Sequence, residues 1–175
     1  SNEKKLFIFL LFFFYSNNIY ANNIVYLDIQ YIIDNSEIGI FYKNKVKLIQ
    51  DQNKLNLKKD EDVISNKEIE INNQKNILSK DEIKKKINNL NELIKKYQIK
   101  RKKYNSSVIE LKKKYTSEII NLLNPLLTKY VDKNDIKLVV DKKNILVGVK
   151  SLDVTKNILK ILNDETKNKK IVDEN

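Results

Sequence analysis

Between Ile83 and Leu122, residues taken alternately four and three apart are Ile83, Ile87, Leu90, Ile94, Tyr97, Arg101, Tyr104, Val108, Leu111, Tyr115, Glu118 and Leu122; ten of these twelve are apolar. A 3.5-residue period sustained over this length is the pattern of a coiled-coil seam, because it keeps one apolar stripe turned toward a partner helix. Neither Gly nor Pro interrupts the chain between Asn76 and Asn124. Ser79 and Glu82 have the spacing of a capping box. The pattern predicts a helix from about Lys80 to Asn124, roughly 65 Å long at 1.5 Å per residue. Pro125 marks a kink or a fresh helix start, with Asn124 as its cap. The tyrosines at 97, 104 and 115 read first as bulky seam residues, and secondly as wide ones that hold the helices loosely.

Upstream, Ser36 is a candidate N-cap for a second helix over about 37–72, and residues 72–79 read as a turn. Its seam is poorer. Tyr42, Val46 and Ile49 serve near the base, and only Leu57, Ile64 and Ile71 recur further out, among Asn, Asp and Lys. Two long helices joined by a short turn must run antiparallel. Asn23–Ile29 reads as a strand, as do Ile136–Asp141 and Ile145–Val149, the last two joined by Lys142-Lys143-Asn144 at hairpin length. Asp153 caps a final helix with Ile158, Leu159 and Leu162 on one face.

The expected fold class is α+β. Residues 22–36 and 125–163 form a β-rich body, a sheet or barrel built by both chain ends and closed by the terminal helix. Residues 37–124 form a helical-hairpin arm with its tip near 72–79, and 164–175 form a flexible tail. Three short strands leave open edges and a small core, so the body is expected to self-associate. Ile24, Tyr26, Leu138, Val140, Ile145 and Val147 are its candidate oligomerisation residues.

The first residues read differently. Lys4 and Lys5 precede an unbroken apolar run, Leu6–Tyr15, followed by a polar stretch and Ala21. This is the pattern of a secretory signal peptide covering residues 1–21. Ten apolar residues reach only about half-way across a bilayer core, so a membrane anchor is the weaker reading.

The chain has no Cys and no His, which excludes an ordinary zinc site and a Ser-His or Cys-His nucleophile pair. Its two glycines, Gly39 and Gly148, are too far apart to build a phosphate-cradling loop. No catalytic residue, metal or cofactor is expected. Asp28, Asp141 and Asp153 could in principle do acid–base work, but strand-end and capping roles account for them better.

The net charge is +11, with one Arg among 34 basic residues. That bias, together with abundant Asn and Ile, is what AT-rich codons produce, so placement says more than the total. Residues 75–115 hold 14 basic and four acidic side chains; 22–74 hold seven and nine; 116–175 hold eleven and nine. A charged face that only keeps a helix soluble mixes signs and places Glu four residues before Lys. This segment mostly lacks such partners. Lys84, Lys85, Lys86, Lys95, Lys96, Lys100, Arg101, Lys102, Lys103, Lys112, Lys113 and Lys114 are therefore candidate groups for attracting an acidic partner.

In order, the chain presents Asn23–Gln30 (NIVYLDIQ), the basic hairpin, Leu122–Leu127 (LLNPLL), Ile136–Asp141 (IKLVVD) and Ser151–Asn163 (SLDVTKNILKILN). This order resembles the Skp/OmpH family of periplasmic chaperones over nearly the whole chain after residue 21. The resemblance implies a homotrimer whose small β-barrel body projects three helical arms. It implies an ATP-independent holdase that keeps unfolded outer-membrane β-barrel proteins from aggregating between basic arms. It also implies contact with anionic lipid or lipopolysaccharide. The residues leave open a second class, a structural or tethering coiled coil of the cell envelope without a client. A nucleic-acid partner would suit the charge, but the export signal argues against it.

Overall fold

The computed structural model describes residues 24–167. The expected signal peptide and residues 168–175 of the expected tail lie outside them. The elements are β1 (Ile24–Leu27), α1 (Ile29–Asn35), α2 (Glu37–Gln74), α3 (Lys80–Lys133), β2 (Leu138–Asp141) and α4 (Thr155–Thr166), with 3₁₀ turns at Lys142–Asn144 and Lys150–Leu152. β1 and β2 pair in parallel, Ile24 opposite Leu138 and Leu27 opposite Asp141. The helical hairpin is therefore the crossover between two adjacent strands.

The helix starts follow their caps. Ser36 Oγ accepts from the Gly39 N–H, and Ser79 with Glu82 forms the complete capping box. Asp28 caps α1 by accepting from the Tyr31 N–H at 2.8 Å, so the strand expected through Ile29 stops at Leu27 and an unforeseen short helix follows. Where α1 meets α2, a Cβ on Gly39 would stand 1.8 Å from the Ile33 carbonyl oxygen. No larger residue permits that approach.

Two expectations fail in the body. Pro125 does not restart the helix: α3 runs through it to Lys133, so residues 125–133 are helical rather than β-rich. A mid-helix Pro costs about 3 kcal/mol. Here Leu123 and Leu126, on either side of it, are both buried in the core, and their burial offsets that cost. Second, Ile145–Val149 is not a strand and no β-hairpin forms. Lys142-Lys143-Asn144 has no Gly to supply the positive φ of a tight hairpin turn. Instead Asp141 accepts from the Lys143 N–H, and the Ile145 N–H donates to the Lys142 carbonyl, closing a 3₁₀ turn. The segment then crosses the Tyr26 ring, against which a Cβ on Gly148 would stand at 2.8 Å, and the Tyr26 hydroxyl donates to the Val149 carbonyl.

The core lies wholly at the base: Leu27, Ile32, Ile38, Tyr42, Ile119, Leu123, Leu126, Val154, Ile158 and Leu162. Ile158, Leu159 and Leu162 of α4 face it as expected. Residues 164–166 of the expected tail belong to α4, which continues to Thr166, whose buried hydroxyl donates to the Leu162 carbonyl. Replacing Ile158 or Leu162 by Ala should cost about 2–5 kcal/mol in urea unfolding. The exposed Ile99→Ala change should cost under about 1 kcal/mol in the same assay.

Candidate functional site

Between Val46 and Ile119 no side chain is buried. At the root of the arm the rings of Tyr42 and Tyr115 stack with centroids 4.0 Å apart. Above them Leu57, Ile64 and Ile71 of α2 are half-buried against α3, as the spacing predicts. Above Val46 the other half-buried positions of α2 are polar: Asn53, Asn56, Asp60, Glu70 and Gln74. On α3 the half-buried line runs through Ile83, Lys86, Leu90, Leu93, Ile94, Tyr97, Lys100 and Tyr104, while Ile87 and Arg101 are exposed. At positions 87 and 101 the expected outer seam is thus displaced by one residue, while Ile94 keeps its place.

Charge explains the displacement. Lys86 Nζ lies 2.5 Å from Glu70 Oε1, and Lys100 Nζ lies 2.8 Å from Asp60 Oδ2. Tyr97 donates its hydroxyl to Glu61 at 2.5 Å. A helix with mostly polar seam residues offers carboxylates, and lysines answer them better than Ile87 could. Hydrogen bonds from Lys86 and then Lys67 hold the Glu70 carboxyl down at about 2. The hydrogen bond from Tyr97 to the Glu61 carboxylate raises the Tyr97 phenol. The bond to Asp60 likewise raises Lys100.

Of the twelve candidate basic residues, Lys86 and Lys100 therefore pair across the hairpin with carboxylates of α2. Lys114 stands 3.8 Å from Glu118. Lys84, Lys85, Lys95, Lys96, Lys102, Lys103, Lys112 and Lys113 are exposed, with no carboxylate within 4.0 Å among the described residues. Arg101 is exposed beside Tyr97.

A groove runs along one flank of the hairpin. Its lower part, about 440 Å³, lies over Tyr42, Val46 and Tyr115; its upper part, about 1060 Å³, lies over Leu57, Tyr104 and Val108. Both parts share Gln50 and Lys112. Lys43, Lys47, Lys54 and Lys58 of α2 line it opposite Arg101 and Lys112 of α3. The sequence reading missed these four lysines because α2 has balanced charge. Their spacing of four, seven and four, which gathers them on one helix flank, is the signal that could have found them.

In the body, β1 and β2 turn Val25, Leu27 and Val139 onto the core. Tyr26 is also buried within the subunit, but Ile24 and Leu138 are 45% and 52% exposed. Val140 and Ile145 are half-buried. Leu146 and Val147 are almost fully exposed. The three aspartates carry capping bonds: Asp28 to Tyr31, Asp141 to Lys143, and Asp153 to the Thr155 N–H at 3.0 Å.

A small two-stranded base carrying a long basic helical hairpin defines a class of arm-bearing proteins. The OmpH-like outer membrane protein family matches residues 23–162, and the chain belongs to that family. Among solved structures it is similar to an OmpH-like protein of the outer membrane chaperone type from Caulobacter crescentus CB15. The TM-score is 0.76 at 15% identity, covering 82% of this chain and 85% of that one. At that identity the likeness is one of fold. No curated protein matches the sequence significantly.

The outer seam should respond to acid. A carboxyl depressed in the folded arm stabilises it fully above the ordinary carboxylate range, and that contribution is lost as pH falls from about 4.5 toward 2. Glu70→Gln should therefore speed amide exchange over residues 64–94 at pH 7. At pH 2 the variant and the parent should exchange alike.

Proposed function

We propose that the protein is an ATP-independent holdase of the periplasm that keeps unfolded outer-membrane β-barrel proteins from aggregating. The observation that carries this reading is the arm itself. It has surplus positive charge, apolar side chains exposed at intervals (Leu48, Leu55, Ile69, Ile99 and Ile109) and no buried residue above its root. Membership of the OmpH-like family supports it. Long-range attraction with scattered apolar contacts places no demand on a partner's sequence, as release without fuel requires. No catalytic step is part of this role.

The open sheet face around Ile24 and Leu138, with Leu146 and Val147 beside it, supports a self-associating base. On this reading the base is a homotrimer, as the resemblance implies, and the Ile145–Val149 segment finds a strand partner in a neighbouring subunit. Contact with anionic lipid or lipopolysaccharide through the exposed lysines belongs to the same reading.

The decisive experiment dilutes a urea-unfolded outer-membrane β-barrel protein into buffer with the chain from residue 22 onward and follows light scattering. Unchanged scattering would leave the tethering role. If the reading holds, changing Lys84, Lys85, Lys95, Lys96, Lys102 and Lys103 together to Gln should weaken client binding about tenfold or more at low salt, and less at high salt. The oligomer should persist in native mass spectrometry. Leu138→Glu should dissociate the subunits in that measurement while circular dichroism stays helical.

A further inference from the structure

The holdase reading assigns clients to the arms in general; the groove on the flank of the hairpin is a more particular surface. From Lys43 to Glu61 it follows α2 for about 27 Å. Its floor is apolar and aromatic: Tyr42, Val46, Leu57, Tyr104, Val108 and Tyr115. Its rim is basic. Six cationic residues line it against three carboxylates, Asp34, Asp51 and Glu61. Two of those carboxylates are engaged, Asp34 by Gln30 and Glu61 by Tyr97. Lys58 is paired with Asp62. Lys43, Lys47, Lys54 and Lys112 have no carboxylate within 4.0 Å among the described residues.

We propose that this groove seats an extended segment of about eight residues from an unfolded polypeptide, apolar side chains on the floor and carboxylates at the lysine rim. The inference rests on the holdase reading and locates its contact. Charge complementarity selects an acidic occupant, since the rim has more cations than it can neutralise internally. The same rim selects an extended one. Lysine ammonium groups can donate to the carbonyls of an open chain, whereas a helix keeps its carbonyls within itself. The open side of the groove leaves the remaining backbone groups to water.

The test uses the chain from residue 22 onward and a urea-unfolded outer-membrane β-barrel protein of negative net charge. One variant carries Lys43→Gln, Lys47→Gln, Lys54→Gln and Lys112→Gln. A charge-matched control carries Lys45→Gln, Lys59→Gln, Lys129→Gln and Lys133→Gln, none of which lines the groove. The groove variant should bind about tenfold more weakly and the control within about twofold of the parent. Because the chain has no Cys, a photo-crosslinker can be placed at Gln50→Cys or Lys59→Cys alone. Client should be captured from position 50 and not from position 59.

Equal losses in the two variants, or equal capture from the two positions, would overturn the groove and leave a diffuse charged holdase. Capture of a second copy of the chain from position 50 would make the groove an arm–arm contact. Displacement of the client by anionic vesicles but not neutral ones would make it a lipid site. Either result overturns the proposal. A parent protein that binds no client at all would instead remove the holdase reading, and that failure is visible before any variant is compared.

Discussion

The two long helices exclude water from their contact only at the root, where Tyr42 stacks on Tyr115 and Val46 and Ile119 are buried. Everything above depends on that clamp. Beyond it, half-buried apolar residues alternate with polar ones, and half-buried ion pairs, Lys86–Glu70 and Lys100–Asp60, join the helices. Pairs of that kind each contribute little in water and are screened by salt. The result is a gradient, firm where the core is and soft toward the tip. A rod of this kind keeps its position while its surface adapts to what it touches.

The base has the opposite difficulty. It packs α4 and the root of α3 tightly against one side of a two-stranded sheet, and leaves Ile24 and Leu138 on the other side. The segment after β2 exposes Leu146 and Val147 and joins no strand. A parallel pair whose β1 edge is bridged only between Tyr26 and Asp153, and whose face is apolar, is an incomplete unit in water. In the proposed function, self-association of the base completes it.

Much of this was legible locally. Ser36, Ser79 and Glu82 announced helix starts because capping is a contact between near neighbours in sequence. The hairpin followed from periodicity and an absence of breakers, and the core face of α4 from the spacing of Ile158 and Leu162. The errors have a common cause. Pro125 reads as a break, yet the burial of Leu123 and Leu126 carries the helix through it. Ile145–Val149 has the composition of a strand, yet Asp141 and the Lys142 carbonyl turn the chain away before it can pair. In each case a particular contact, with the core at Leu123 and Leu126 and within a turn after Asp141, prevailed over propensity.

The sequence alone determined that the chain makes a long hairpin between two strand-forming ends, and that positive charge collects on its returning helix. Periodicity, caps and charge counts are properties of neighbouring residues, so no fold is needed to read them. Only the tertiary structure decided which lysines tie the arm together and which are free. It also brought the lysines of an electrically balanced helix to one side of a groove. Those outcomes depend on the rotation of one helix against the other. That rotation brings together residues as distant in sequence as Asp60 and Lys100, whose meeting no local pattern records.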